Sequence, residues 1–193
     1  MILAYIRKDD IIMKKNQLIR LVLSAMFLAI GFVLPFLTGQ IPEVGSRLLP
    51  LHLPALVCGF VCGWPWGLAV GFILPLLRSL IFGMPPLAPT ALAMAFEMAA
   101  YGAVAGVAYE RFAKKPANVY VALIIALLAG RLVWGLVSIP IYAMFTDGAF
   151  ALTAFWMGGF VNAWPGIVLQ IVLVPLIVFA LQRAKLVPIK AEC

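Results

Sequence analysis

A chain of 193 residues that is 65% hydrophobic and only 11% charged, with a mean hydropathy of +1.12, lies outside the composition of soluble globular domains. It reads as an integral membrane protein whose length holds one compact bundle of about six spans of about 20 residues each, with no room for a second soluble domain. Fourteen Lys and Arg against seven Asp and Glu give a net charge of +7, but these charges stand at the ends of apolar runs and form no basic stripe, which argues against nucleic acid as a partner.

The N-terminal stretch "MILAYIRKDDII" precedes "MKKNQLIRL", which by itself has the form of a start followed by positive charge and a span, so Met13 is a second candidate initiator. The first apolar run continues from Leu18 to Leu37 without an A-x-A-like site, as expected of a retained helix rather than a removed leader. Hydropathy, punctuated by Pro, Gly and charge, predicts an all-α protein with spans at 17–37, 49–63, 65–84, 88–110, 118–145 and 153–182. Residues 1–16 are then an N-terminal segment, 17–183 the transmembrane domain and 184–193 a tail. A polar loop, "TGQIPEVGSRL", separates the first two spans, while "GWPW" joins the second to the third as a tight turn and predicts a helical hairpin.

A cytoplasmic N-terminus puts Arg7, Lys8, Lys14, Lys15, Arg20, Arg111, Lys114, Lys115, Arg183, Lys185 and Lys190 inside and only Arg47 in an outer loop. The positive-inside rule therefore predicts both termini in the cytoplasm, as in a multi-pass protein of a bacterial plasma membrane. Small residues recur four apart at Ala25 and Ala29, Gly59 and Gly63, Gly67 and Gly71, and Gly102 and Gly106, a spacing that lets helix backbones approach closely in lipid. Cys58 and Cys62, also four apart, are expected to be reduced packing residues, because helix geometry allows them no low-strain bridge.

The two remaining basic residues, Arg78 and Arg131, fall inside spans, as does Glu97. At about 1.5 Å per residue, Arg78 and Glu97 lie at similar depth on consecutive helices, on either side of a loop that carries Pro85, Pro86 and Pro89. An intramembrane charge costs at least about 2.5–3.5 kcal/mol on insertion scales, so each must face a partner or a wet cavity. One reading is a structural ion pair between Glu97 and one arginine. The other is a cavity open to the outside, in which an anionic or amphoteric small molecule satisfies the surplus positive charge. Asn162, an amide within "GGFVNAWPG", suits such a ligand, and Trp134, Trp156 and Tyr142 lie where aromatic residues serve either as an interfacial belt or as a platform for a flat ring. His52, at the outer end of the second span, reads as a hydrogen-bonded structural histidine.

No phosphate-binding G-x-x-x-x-G-K-[ST] loop, no H-E-x-x-H, no G-x-S-x-G and no His/Cys cluster with ligand spacing occurs, so no enzyme, metal or cofactor chemistry is expected, and nucleotide hydrolysis must come from elsewhere.

Six predicted helices, the A-x-x-x-A spacing in "SAMFLAIG" and the stretch "LPLHLPALVCGFVCGWPWGLAVGFI" resemble the substrate-binding S components of energy-coupling factor (ECF) vitamin transporters, over nearly the whole chain from Lys14 to Arg183. The resemblance implies a subunit of an ECF-type ABC transporter that binds a vitamin or precursor from outside, under a cap formed by the first loop. It further implies toppling against a transmembrane coupling subunit with two attached ATPases, and assigns docking on that subunit to Ala25 and Ala29. Ligand contacts in the family come from the first loop and helices four to six, which carries over to Glu97, Arg131, Trp134 and Asn162; Arg78 is added from the charge argument. The loop offers Gln40, Glu43 and Arg47 but no aromatic lid. On charge, pantothenate is favoured over a pyridoxine-like ring or a benzimidazole precursor of cobalamin. The alternatives are a stand-alone facilitator or secondary transporter for a small organic solute, and a membrane protein without transport activity.

Overall fold

The computed structural model describes residues 2–37, 41, 45, 47–112, 116–145 and 152–184, apart from the side chains of 2–12, 14 and 152. Every regular element among them is helical: α1 (Ile2–Leu37), α2 (His52–Cys62), α3 (Trp64–Phe82), α4 (Leu92–Arg111), α5 (Pro116–Phe145), α6 (Leu152–Trp156) and α7 (Trp164–Arg183). A kinked segment with Ala88 extended (φ -122°, ψ 137°), Leu87–Ala91, leads into α4, and a short wide turn, Met157–Val161, follows α6.

Among the described residues, five segments are long and apolar enough to cross a membrane: Lys15–Leu37, Trp64–Phe82, Leu87–Arg111, Pro116–Phe145 and Trp164–Arg183. The expected second span differs. Its helix is only 11 residues long and every one of them is buried, so α2 is enclosed by protein along its length. Pro50 and a left-handed Leu49 (φ 51°) lie just before it, and Gly63 (φ 94°), a conformation that a side chain rarely tolerates, ends it. Pro65 then starts α3, which makes the predicted hairpin. The last segment also differs from one continuous span, because the chain turns at Asn162 and Ala163 and the helix restarts at Trp164-Pro165. At the other end of the chain, α1 runs back without a break through residues expected to precede the first span.

Glycines explain why α2, α3 and α4 form the centre. A Cβ at Gly59 would stand 2.3 Å from the Gly102 carbonyl oxygen, one at Gly67 2.6 Å from Gly59 Cα, and one at Gly102 2.2 Å from the Gly67 carbonyl oxygen. The three backbones are therefore in direct contact, as small residues permit in lipid. Around this junction pack Leu56, Leu74, Met98, Tyr101 and Leu123. The expected reduced cysteines belong to the same core, where both are free thiols and Cys58 Sγ lies 3.5 Å from Ser24 Oγ. α5 packs on α4, and α7 packs on α2 and α5.

Candidate functional site

Glu97 stands on the buried face of α4, one helical turn before Tyr101. Its Oε1 accepts the Tyr101 hydroxyl at 2.9 Å and lies 2.8 Å from Arg131 Nη1. Its Oε2 faces His52 Nε2 at 3.6 Å. The His52 ring meets Tyr101 edge-on at 5.5 Å between centroids. This arrangement requires a glycine on α5, since a Cβ at Gly130 would come within 2.2 Å of Tyr101 Cε1. His52, Glu97, Tyr101 and Arg131 thus bind α2, α4 and α5 at one point, and each is at most 5% exposed.

The group is not saturated. Arg131 spends Nη1 on Glu97, while its Nε and Nη2 have no hydrogen-bond partner among the described residues, and neither has either ring nitrogen of His52. Nε and Nη2 form one edge of the guanidinium, the two-donor fork that fits a carboxylate or phosphate. Two further buried polar side chains are in the same condition: Ser138 on α5 and Gln170 on α7.

Of the residues expected at the site, the structure brings Glu97 and Arg131 together and sets Trp134 close by. Trp134 is one turn beyond Arg131, half-buried, and stacks on Phe155 at 6.1 Å and 23°. The Gly158-Gly159 turn lies against both, with Cβ positions 3.1 Å from Trp134 and 3.9 Å from Arg131 Cδ respectively. Arg78 is engaged elsewhere. Its Nη1 donates to the Phe32 carbonyl of α1 at 2.8 Å, with the Phe36 and Phe82 rings 5.4 and 5.0 Å from the guanidinium carbon, and no ion pair joins it to Glu97. The Asn162 side chain is exposed at the turn before α7. Gln40 and Glu43 of the first loop lie outside the described residues, whereas Arg47 is described and its backbone oxygen rests 2.6 Å from the Cβ position of Gly166 on α7. Ala25 and Ala29 are exposed on α1, on the side opposite the buried Ser24, Phe27 and Gly31.

Tyr101, Ser138 and Gln170 were not singled out as site residues. The signals were present: Tyr101 follows Glu97 by one turn, Ser138 follows Arg131 by two turns, and Gln170 is an amide inside an apolar run. His52, expected to be structural, is part of the charged group.

An all-helical membrane protein with a buried, incompletely satisfied polar centre is the class that these observations define. Residues 19–178 match the family model of the ECF transporter substrate-specific component. The chain belongs to that family, and is a multi-pass membrane protein that serves as the substrate-specific subunit of an ECF transporter. Membership implies work with ECF coupling and ATPase subunits and a role in transport rather than catalysis. No curated protein and no solved structure matches the chain.

Proposed function

We propose that this subunit captures a vitamin or vitamin precursor outside a bacterial plasma membrane and delivers it to an ECF coupling subunit carrying two ATPases. In this reading the chain crosses the membrane six times with both termini cytoplasmic, α2 being the short, protein-enclosed crossing. The site has Glu97 and Arg131 at its floor, Trp134 on its wall and Asn162 at its rim, while Arg78, expected among the ligand contacts, is held by the Phe32 carbonyl of α1 and supports the bundle instead. One observation carries the proposal: the open Nε/Nη2 edge of a buried Arg131 whose remaining donor is already held by Glu97. Such an edge suits a ligand carboxylate, and a buried arginine in a membrane keeps unpaired donors only at a cost that a ligand can offset. Among the vitamins considered, pantothenate has the carboxylate; a pyridoxine-like ring or a benzimidazole would rely on Trp134 instead.

The test is a thermal-shift screen of the purified protein in detergent against B-group vitamins and precursors. A tight binder at 100 times its Kd stabilises by about 2.7 kcal/mol. A hit is expected from a carboxylate-bearing compound and is expected to vanish in Arg131→Ala and in Glu97→Gln. No shift with any compound would return the buried group to a purely structural ion pair. Uptake into liposomes lacking the ATPase subunits would point instead to a stand-alone transporter.

A further inference from the structure

Gln170, like Ser138, is a buried polar residue among those described that the ion-pair group does not explain, and it leaves both a donor and an acceptor unpaired. It is 1% exposed on α7, and neither Nε2 nor Oε1 has a hydrogen-bond partner among the described residues. A primary amide has both a donor and an acceptor to satisfy, and burying both unpaired is unfavourable. Its neighbours on the buried face of α7 are Gly166 one turn before and Val174 one turn after. Gly166 lies beneath the backbone of Arg47 and Leu48, with its Cβ position 2.6 Å from the Arg47 carbonyl oxygen. The same stretch of chain leads into α2 at His52, and α2 packs on α7. Gln170 therefore stands one turn past the contact with segment 47–48, and His52, four residues after Leu48, opens the helix that packs on α7. Arg131 and Ser138 occupy one buried face of α5, which also packs on α7.

We infer that Gln170 is a specificity-determining residue of the substrate site, reading an adjacent donor and acceptor on the ligand, as in an amide or cyclic urea, while the ligand carboxylate takes the Arg131 edge. This rests on the reading of Arg131 given under the proposed function and narrows the substrate class to amide-bearing or urea-bearing carboxylates. A site built to pair both halves of an amide discriminates strongly against an analogue lacking one, because the buried groups then stay unpaired.

Two properties of Gln170→Met, with Gln170→Leu as a second apolar variant, distinguish recognition from support of the fold. An amide held by the fold loses its bonds on substitution and the unliganded protein melts lower. An amide without partners melts at the same temperature or higher when replaced by an apolar group of similar shape. The probes are pantothenate (carboxylate and amide), biotin (carboxylate and cyclic urea) and nicotinate (carboxylate without an amide), read by thermal shift and titration on the full chain in detergent. Expected are an unliganded melting temperature at or above wild type and, for whichever of pantothenate and biotin the wild type prefers, a Kd weakened at least tenfold, with nicotinate unchanged. A lower melting temperature of both unliganded variants, or an intact preference for the amide or urea compound, overturns the inference while leaving the carboxylate reading of Arg131 in place. A wild-type protein that none of the three compounds shifts, or that prefers nicotinate, removes the amide-reading site itself. Loss of the carboxylate reading is recognised separately, by binding that survives Arg131→Ala.

Discussion

At the scale of single residues, the Glu97–Arg131 pair concentrates the energetics. Both are buried, and removing one partner strands a charge, at a cost of about 3–5 kcal/mol. Arg131→Met and Glu97→Met should therefore each destabilise the unliganded protein by about that amount, and the double variant by clearly less than the sum of the two. Thermal unfolding of the four proteins in detergent measures the coupling, and strict additivity would show that the two side chains do not depend on each other. Arg78 predicts a different outcome. Its charge-assisted bond to the Phe32 carbonyl ties α3 to α1, so Arg78→Gln should lower stability by about 1.5–3 kcal/mol and change ligand affinity far less than Arg131→Ala does. A loss of affinity equal to that of Arg131→Ala would place Arg78 in direct contact with substrate.

At the scale of helices, the junction of α2, α3 and α4 is the part least able to change. Gly102→Val would place side-chain carbons where the Gly67 carbonyl oxygen now lies 2.2 Å from the Cβ position. Overpacking of this kind costs about 1–3 kcal/mol, with more where backbones must separate. The variant should melt well below wild type and lose monodispersity in size-exclusion chromatography, whereas Gly45→Ala, with nothing within 4 Å of the added carbon, should behave as wild type. The spacing of Gly59, Gly67 and Gly102 showed that backbones would approach closely. It did not say which helices would meet, because a small residue permits contact without choosing the partner. The length of α2 was equally hidden. Hydropathy counts apolar residues alike whether lipid or protein surrounds them, so a short helix buried along its whole length reads the same as a full-length, lipid-facing one.

At the scale of the whole molecule, Lys15–Leu37 of α1 is the least covered of the five described spans. Most of its residues are uncovered, and Ala25 and Ala29 are exposed beside Met26 and Ile30. Because this face lies away from the Glu97 group, Ala25→Trp and Ala29→Trp should leave ligand binding unchanged in detergent while abolishing uptake by the assembled transporter. Reduced binding in either variant would mean that the face communicates with the site, and normal uptake would remove it from the docking surface.

Composition together with the length of the apolar runs determined that the chain is a helical membrane protein, because a continuous apolar run of about 20 residues satisfies its backbone in lipid by forming a helix. The rarity of charge within those runs likewise marked Arg78, Glu97 and Arg131 as residues needing partners. Which partners they took was decided only by the tertiary structure. Arg131 reaches Glu97, whereas Arg78 finds a carbonyl and two rings on α1. Depth along a helix can be counted from the sequence. The rotation that aims a side chain at one neighbour and not another is set by how all the helices pack together, and that is also why Tyr101, Ser138 and Gln170 emerged as members of the polar interior only once the bundle was assembled.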